Sequence, residues 1–203
     1  IESAWRDARI GRIYEGTNEI NRMLIIGMLL KKAMKGNLDI MTPYQNILNN
    51  EPLSIDEKCN DFEDEIILVE NIKKIFLLLL GKAFEKYGPE IDKNQQVLLS
   101  LSDLAIEAYL SESTLKRTIK NINRTSLEDQ YDQINMTKLY IYEASQIVLK
   151  KSNDVINSIV DPESQDKILI SITKRLKYRK NPNVFELKTM IANKIISENK
   201  YCF

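Results

Sequence analysis

Acid–base chemistry in this chain has to come from carboxylates, because its 203 residues include no histidine. The commonest general base and the commonest metal ligand are therefore both missing. Cys59 and Cys202 stand too far apart to frame a zinc site and read as reduced thiols of a cytosolic protein, so no metal site is expected. One stretch gathers chemically useful types at close spacing: Trp5-Arg6-Asp7-Ala8-Arg9-Ile10-Gly11-Arg12-Ile13-Tyr14-Glu15-Gly16-Thr17-Asn18-Glu19-Ile20-Asn21-Arg22. A carboxylate can act as a base where it is shielded enough from water to become basic. A neighbouring glycine leaves room for a substrate to approach. A hydroxyl at a helix N-terminus offers itself and nearby amides to a polar or anionic group. Glu15, Gly16 and Thr17 present these three types in order. Taken alone, the same three residues would also suit a plain helix-entry turn with a solvated glutamate. Arg6, Arg9, Arg12 and Arg22 read as surface salt-bridge partners, with Asp7 and Glu19 in range, rather than as an anion site.

The whole run resembles the C-terminal motif of acyl-CoA dehydrogenases, in which Arg-Asp-Ala leads into Ile-Tyr-Glu-Gly-Thr and then a long helix. The helical region from residue 57 onward is more loosely similar, by length and position, to the helical domain appended in the very-long-chain branch of that family. The resemblance implies FAD held between a helical domain and a middle β-domain. It implies oxidation of an acyl-CoA to the trans-2-enoyl-CoA, with an electron-transferring flavoprotein as acceptor. Carried over residue by residue, it makes Glu15 the base that removes the α-proton. Tyr14 and Gly16 then lie beside the bound thioester, and Thr17, Asn18 and Glu19 contact FAD. Position 19 departs from members that carry Gln there. An acid at this position resembles the long-chain branch and does not bond FAD as an amide would.

Behind the motif, the sequence must supply elements that hold it. Gly16 gives a turn, Thr17 can cap the free amides that follow, and Glu19 falls in the first turn, where the helix dipole favours an acid. Met23 to Leu30 is apolar almost all round, so this helix expects neighbours on more than one side. Gly36-Asn37 is a plausible stop. Residues 38–56, with Pro43, Pro52 and several Asn, lack helical periodicity and read as a linker. Ser54-Ile55-Asp56-Glu57 has the capping-box pattern, and Phe62, Ile66, Val69, Phe76 and Leu80 then recur at helical spacing up to Gly88-Pro89. A further helix is expected from about Asp92 to Ile122, with Leu101, Leu104, Ala108, Leu115 and Ile119 on one side. Ser126 with Asp129 looks like another N-cap. Ile134, Ile141, Val148 and Val155 follow seven apart, the spacing of a bundle seam. Asp161-Pro162 and Asn181-Pro182 open two shorter helices, with Ile168, Ile172 and Leu176 on one face and Leu187, Ile191 and Ile195 on the other. The fold class is thus all-α: an antiparallel helical bundle over 57–203, a linker over 38–56, and, over 1–37, the last motif and helix of an acyl-CoA dehydrogenase catalytic domain.

Basic and acidic side chains balance at 29 each, which gives no nucleic-acid footprint. The apolar run from Ile75 to Leu80 is too short to span a bilayer. A start at Ile1 reads as part of a longer protein, and abundant Asn, Ile and Lys suggest an A/T-rich bacterial genome. Alone, the chain is not expected to hold FAD or turn over acyl-CoA. The resemblance further implies that the appended domain packs on its own catalytic part in a homodimer, with membrane association a lesser role. The competing reading is a stand-alone helical interaction or membrane-associating module without catalysis.

Overall fold

The apolar periodicities resolve into helices in a computed structural model that describes residues 2–49, 62–124, 130–179 and 181–200. In chain order these are α1 (Glu2–Ile10), α2 (Asn18–Met34), α3 (Met41–Leu48), α4 (Glu63–Tyr87), a 3-10 segment (Gly88–Lys93), α5 (Gln95–Ile122), α6 (Tyr131–Ile159), α7 (Pro162–Arg175) and α8 (Val184–Glu198). No strand occurs among the described residues. The expected all-α class is what the chain adopts.

The long helices α4, α5 and α6 pack against one another and form the core. Phe62, Ile66, Val69, Phe76 and Leu80 are all buried, as their spacing requires. So are Leu101, Leu104, Ala108 and Leu115 on α5, whereas Ile119 is only partly covered. The seam Ile134, Ile141, Val148 and Val155 lies inside α6. Small polar residues share these inner faces: Ser102, Ser111 and Thr118 on α5, and Ser145 and Ser152 on α6. The Thr118 and Thr137 hydroxyls pair across α5 and α6 at 2.7 Å, which satisfies two buried groups at once. The first turn of α4 carries Glu63, Asp64 and Glu65, favourable at the positive end of the dipole. Gly88, at φ +54, ends that helix where glycine and proline predict it.

Several local expectations need correction. The stretch that lacked periodicity contains α3. Pro43 sits in its first turn, where a missing amide costs nothing, and Tyr44 and Ile47 bury themselves against α4. The 92–122 helix is divided, with a 3-10 segment preceding an α-helix that starts at Gln95. The last helix begins at Val184, not at Pro182, because Asn183 is the cap: its Oδ1 accepts from the Glu186 amide at 3.3 Å. Asp161 precedes Pro162 as expected, without a side-chain capping bond. A helix at Glu2–Ile10 was not foreseen; an Arg6–Glu2 pair at 2.6 Å braces one face of it. The Ser54 capping box, the Ser126 cap and both cysteines lie outside the described residues.

Two helix-interior glycines make opposite demands. At Gly81, on α4, an added Cβ would overlap the Tyr44 ring; at Gly27, on α2, it would meet nothing within 4 Å. Helix propensity alone favours Ala over Gly by about 1 kcal/mol. Gly27→Ala is therefore expected to stabilise the chain by up to about 1 kcal/mol. Gly81→Ala should destabilise it by about 1–3 kcal/mol, since overpacking outweighs propensity. Urea unfolding midpoints of the two variants, measured side by side, check the signs.

Candidate active site

The motif folds as a loop bracketed by backbone hydrogen bonds. As α1 ends, the Ile13 amide donates to the Ile10 carbonyl at 2.9 Å and the Tyr14 amide to the same oxygen at 3.2 Å. The Asn18 amide then reaches back to the Arg12 carbonyl at 3.1 Å, closing the loop around residues 13–17. Inside it, Glu15 has φ +56 and Gly16 φ +94. Gly16 meets this demand freely. Glu15 does not: the left-handed region costs a residue with a Cβ about 1–2 kcal/mol. Among the described residues only Asn199 is a second non-glycine with positive φ, and Asn tolerates a helix-ending position of this kind.

Thr17 is the cap of α2, and its Oγ1 accepts from the Ile20 amide at 3.2 Å. The Asn21 amide group donates to the Gly16 carbonyl at 2.9 Å and fastens the turn to the helix. The backbone therefore presents Tyr14, Glu15 and Gly16 at the surface, with Asn18 and Glu19 exposed in the first helical turn and Thr17 half-buried. All six residues singled out in the sequence fall together at one helix entrance. The Thr17 hydroxyl still has its proton to donate. Beside the exposed Asn18 and Glu19 side chains, this suits one polar edge of a dinucleotide such as FAD. No glycine-rich phosphate loop and no sheet to back an isoalloxazine occurs among the described residues, so the donor set fits a single wall of a flavin site.

What positions this wall was not legible in the motif. Arg22 was expected to pair at the surface near Glu19. Instead its guanidinium meets Asp103 of α5 at 2.5 Å, and Lys151 of α6 meets the other Asp103 oxygen at 2.8 Å. The Ser102 hydroxyl donates to the Arg22 carbonyl from the same α5 turn. These groups are largely covered, with side-chain exposures of 28% for Arg22, 18% for Asp103 and 28% for Lys151. Ile26 and Leu30 continue the contact as buried anchors. Arg6 also differs from expectation, pairing with Glu2 rather than Asp7. Periodicity could have flagged Arg22, which lies one turn before Ile26 on the inward face of α2.

A cleft of about 560 Å³ lies elsewhere, between the start of α4 and the segment that carries Tyr178, Arg179 and Asn183. It is crossed by structural ties. Arg179 grips Glu63 with two bonds of 2.8 and 2.9 Å, and the Tyr178 hydroxyl donates to Glu65 at 3.3 Å. Burial pushes the Glu65 carboxyl above the ordinary glutamate range, against the opposing pull of Lys138 and Tyr178.

The architecture defines a class first: an antiparallel α-bundle that carries a carboxylate on a strained turn at the mouth of a docked helix. The family model "Acyl-CoA dehydrogenase, C-terminal domain" matches residues 71–175, from the middle of α4 to the end of α7. The "Probable acyl-CoA dehydrogenase" of Bacillus subtilis (strain 168) is 31% identical over 203 residues, 99% of this chain and 34% of the relative. The crystal structure of an acyl-CoA dehydrogenase complexed with FAD from Bacillus anthracis superposes with a TM-score of 0.91 at 32% identity, over 100% of this chain and 35% of that one. The chain belongs to the acyl-CoA dehydrogenase family, and it spans about a third of the length of these relatives. The family match falls on the bundle, so the helices and the turn point the same way through different residues.

Two expected outcomes test this geometry. Asp103→Ala leaves two partly buried cations without their acid, and it should cost about 1–3 kcal/mol of stability. Hydrogen exchange should then quicken at the α2 amides more than in α4 or α6; equal change everywhere would mean that Asp103 does not hold the site helix. For Glu65, the folded carboxyl takes its proton more readily than the unfolded one. Its burial is therefore unfavourable above the folded-state pKa, and stability is regained as pH falls through it. Glu65→Gln, which keeps a partner for Tyr178, should stabilise the chain at about pH 7 and lose that advantage by about pH 4. Thermal melts of both proteins at the two pH values read this directly.

Proposed function

We propose that this chain is the C-terminal part of an FAD-dependent acyl-CoA dehydrogenase, with Glu15 as the base that removes the α-proton of the acyl thioester. The observation that carries the reading is the left-handed backbone of Glu15, fixed between the Arg12–Asn18 closure and the Asn21–Gly16 bond. A glutamate kept where glycine would be easier is a strained feature of the kind that gathers at functional sites.

On this reading the Cα–H bond of the substrate breaks toward the Glu15 carboxylate as Cβ–H leaves as hydride and the Cα=Cβ bond forms. FAD, when bound, supplies the hydride acceptor. Glu15 ends protonated and returns its proton to solvent after the enoyl product leaves. Gly16 keeps the approach open, Tyr14 flanks the substrate, and Thr17, Asn18 and Glu19 meet the cofactor edge. Water has to be excluded for the carboxylate to serve, and the exposed apolar surface indicates how. Ile13 and Tyr14, each 57% exposed, and Leu24 and Met28 on the outer face of α2 form a surface suited to further protein. The residues absent from this third of the enzyme would provide that cover. The division at 38–56 then separates the catalytic end from an appended bundle that packs on it in a homodimer, in the cytoplasm. An electron-transferring flavoprotein is the acceptor of choice for the reduced enzyme.

The test uses the full product of the gene. Wild type should bind flavin and lose its visible absorbance on addition of acyl-CoAs of graded length, the best of which gives the chain-length preference. Glu15→Gln should hold flavin equally but bleach at least about 100-fold more slowly, the loss expected for a positioned base. Equal bleaching would remove Glu15 as the base. A full-length product without flavin would favour a helical interaction module instead.

A further inference from the structure

Another concave surface, lined by none of the residues of the Glu15 turn, gathers basic side chains over an apolar base. It lies where the C-terminal end of α3 meets the middle of α4 and one face of α7, and its volume is about 390 Å³. Four cations line it: Lys74 and Lys82 from α4, and Lys167 and Arg175 from α7. No Asp or Glu is among the described residues that do so. The floor is aliphatic, with Ile47, Ile75, Leu78 and Ile168, and Ser164 and Ser171 add hydroxyls from the α7 face.

Among the described residues this concentration of charge has no internal answer. Three partly buried cations elsewhere in this fold find carboxylates: Arg22 and Lys151 share Asp103, and Lys73 meets Glu112 at 3.1 Å. Lys74, Lys82, Lys167 and Arg175 form no ion pair among the described residues, in a chain whose charges balance as a whole. Lys74 feels Glu70, one turn earlier, but that acid is engaged by Lys73. Burial and the neighbouring Arg175 charge make it harder for Lys74 to stay protonated, so an anion placed between these groups relieves a repulsion built into the fold.

We propose that the groove between α3, α4 and α7 binds a single-chain anionic amphiphile, its carboxylate or phosphate head among Lys74, Lys82, Lys167 and Arg175 and its hydrocarbon tail over Ile75, Leu78 and Ile168. The size is that of a small-ligand pocket. Inorganic anions would leave the aliphatic floor wet, and a neutral lipid would leave the cations unanswered. A membrane surface calls for a basic helix face with an apolar rim lying flat, whereas here the cations stand on the walls of a concavity made by three helices. The site does not depend on Glu15 or on flavin.

Calorimetric titration of the 203-residue chain with dodecyl phosphate and with dodecanoate, both below their micelle thresholds, tests it. Saturable one-to-one binding of either is expected, the tighter of the two identifying the head group. Affinity should rise about two- to fourfold per added methylene. Inorganic phosphate and dodecyltrimethylammonium should give no saturation. Lys167→Gln, at an exposed position that the fold does not need, should weaken binding severalfold, and the double variant Lys82→Gln/Lys167→Gln by about tenfold or more. Lys31→Gln, on α2 outside the groove, should leave binding unchanged, with far-ultraviolet circular dichroism showing all variants folded. The proposal is overturned by absence of saturation up to about 1 mM, by equal binding of the cationic detergent, or by indifference to both groove variants. Sedimentation with anionic vesicles without binding of the monomeric amphiphiles would also overturn it and assign the surface to a membrane.

Discussion

The candidate site depends on how α2 is tied to α5. The Glu15 turn is an extension of the α2 N-terminus, since Thr17 caps the helix and Asn21 holds Gly16. That helix has no fixed place unless Arg22, Ile26 and Leu30 keep theirs on the bundle. Asp103 is the junction, because one carboxylate serves Arg22 of α2 and Lys151 of α6 and so joins three helices. A hydrophobic stripe alone would permit rotation and sliding. The ion pair and the Ser102 bond to the Arg22 carbonyl fix the register. This is the use of a partly buried charge that its desolvation cost can justify: specificity of arrangement more than net stability.

The remainder of the fold divides into surface that is finished and surface that is not. The faces shared by α4, α5 and α6 are closed, and Tyr178 with Arg179 ties the chain after α7 back to the start of α4. The outer face of α2 is open, with Leu24 and Met28 more than half exposed. An apolar helix that packs well on one side and is bare on the other is what a domain boundary cut through a larger core leaves behind. The proposed mechanism uses this asymmetry, because a carboxylate that must work as a base needs a lid of protein that these residues do not themselves provide.

Much of this was readable from the sequence, and the failures have physical causes. Long helices with regular apolar spacing, such as the Ile134–Val155 seam, were readable because their burial repeats over many turns. The Thr17 cap and the Gly88 stop were readable because side-chain chemistry and φ > 0 are local demands. The short α3 was not: its existence depends on Tyr44 finding the bare Cα of Gly81, a contact that no window of sequence contains. The partner of Arg22 was hidden for the same reason, lying on another helix. At the site the motif marked six residues that do sit together, but the strained φ of Glu15 is a property of the folded loop. The cationic groove was invisible because its charges come from two helices, each of which carries acids on its other faces.

The most direct test of the account is a crystal structure of the gene's full product with flavin and a non-reactive acyl-CoA analogue bound. The account predicts the Glu15 carboxylate about 3–3.5 Å from the α-carbon of the analogue, with its backbone still left-handed and the outer face of α2 covered by the remainder of the enzyme. A Glu15 side chain directed away from the thioester, with another base against the α-carbon, would contradict it.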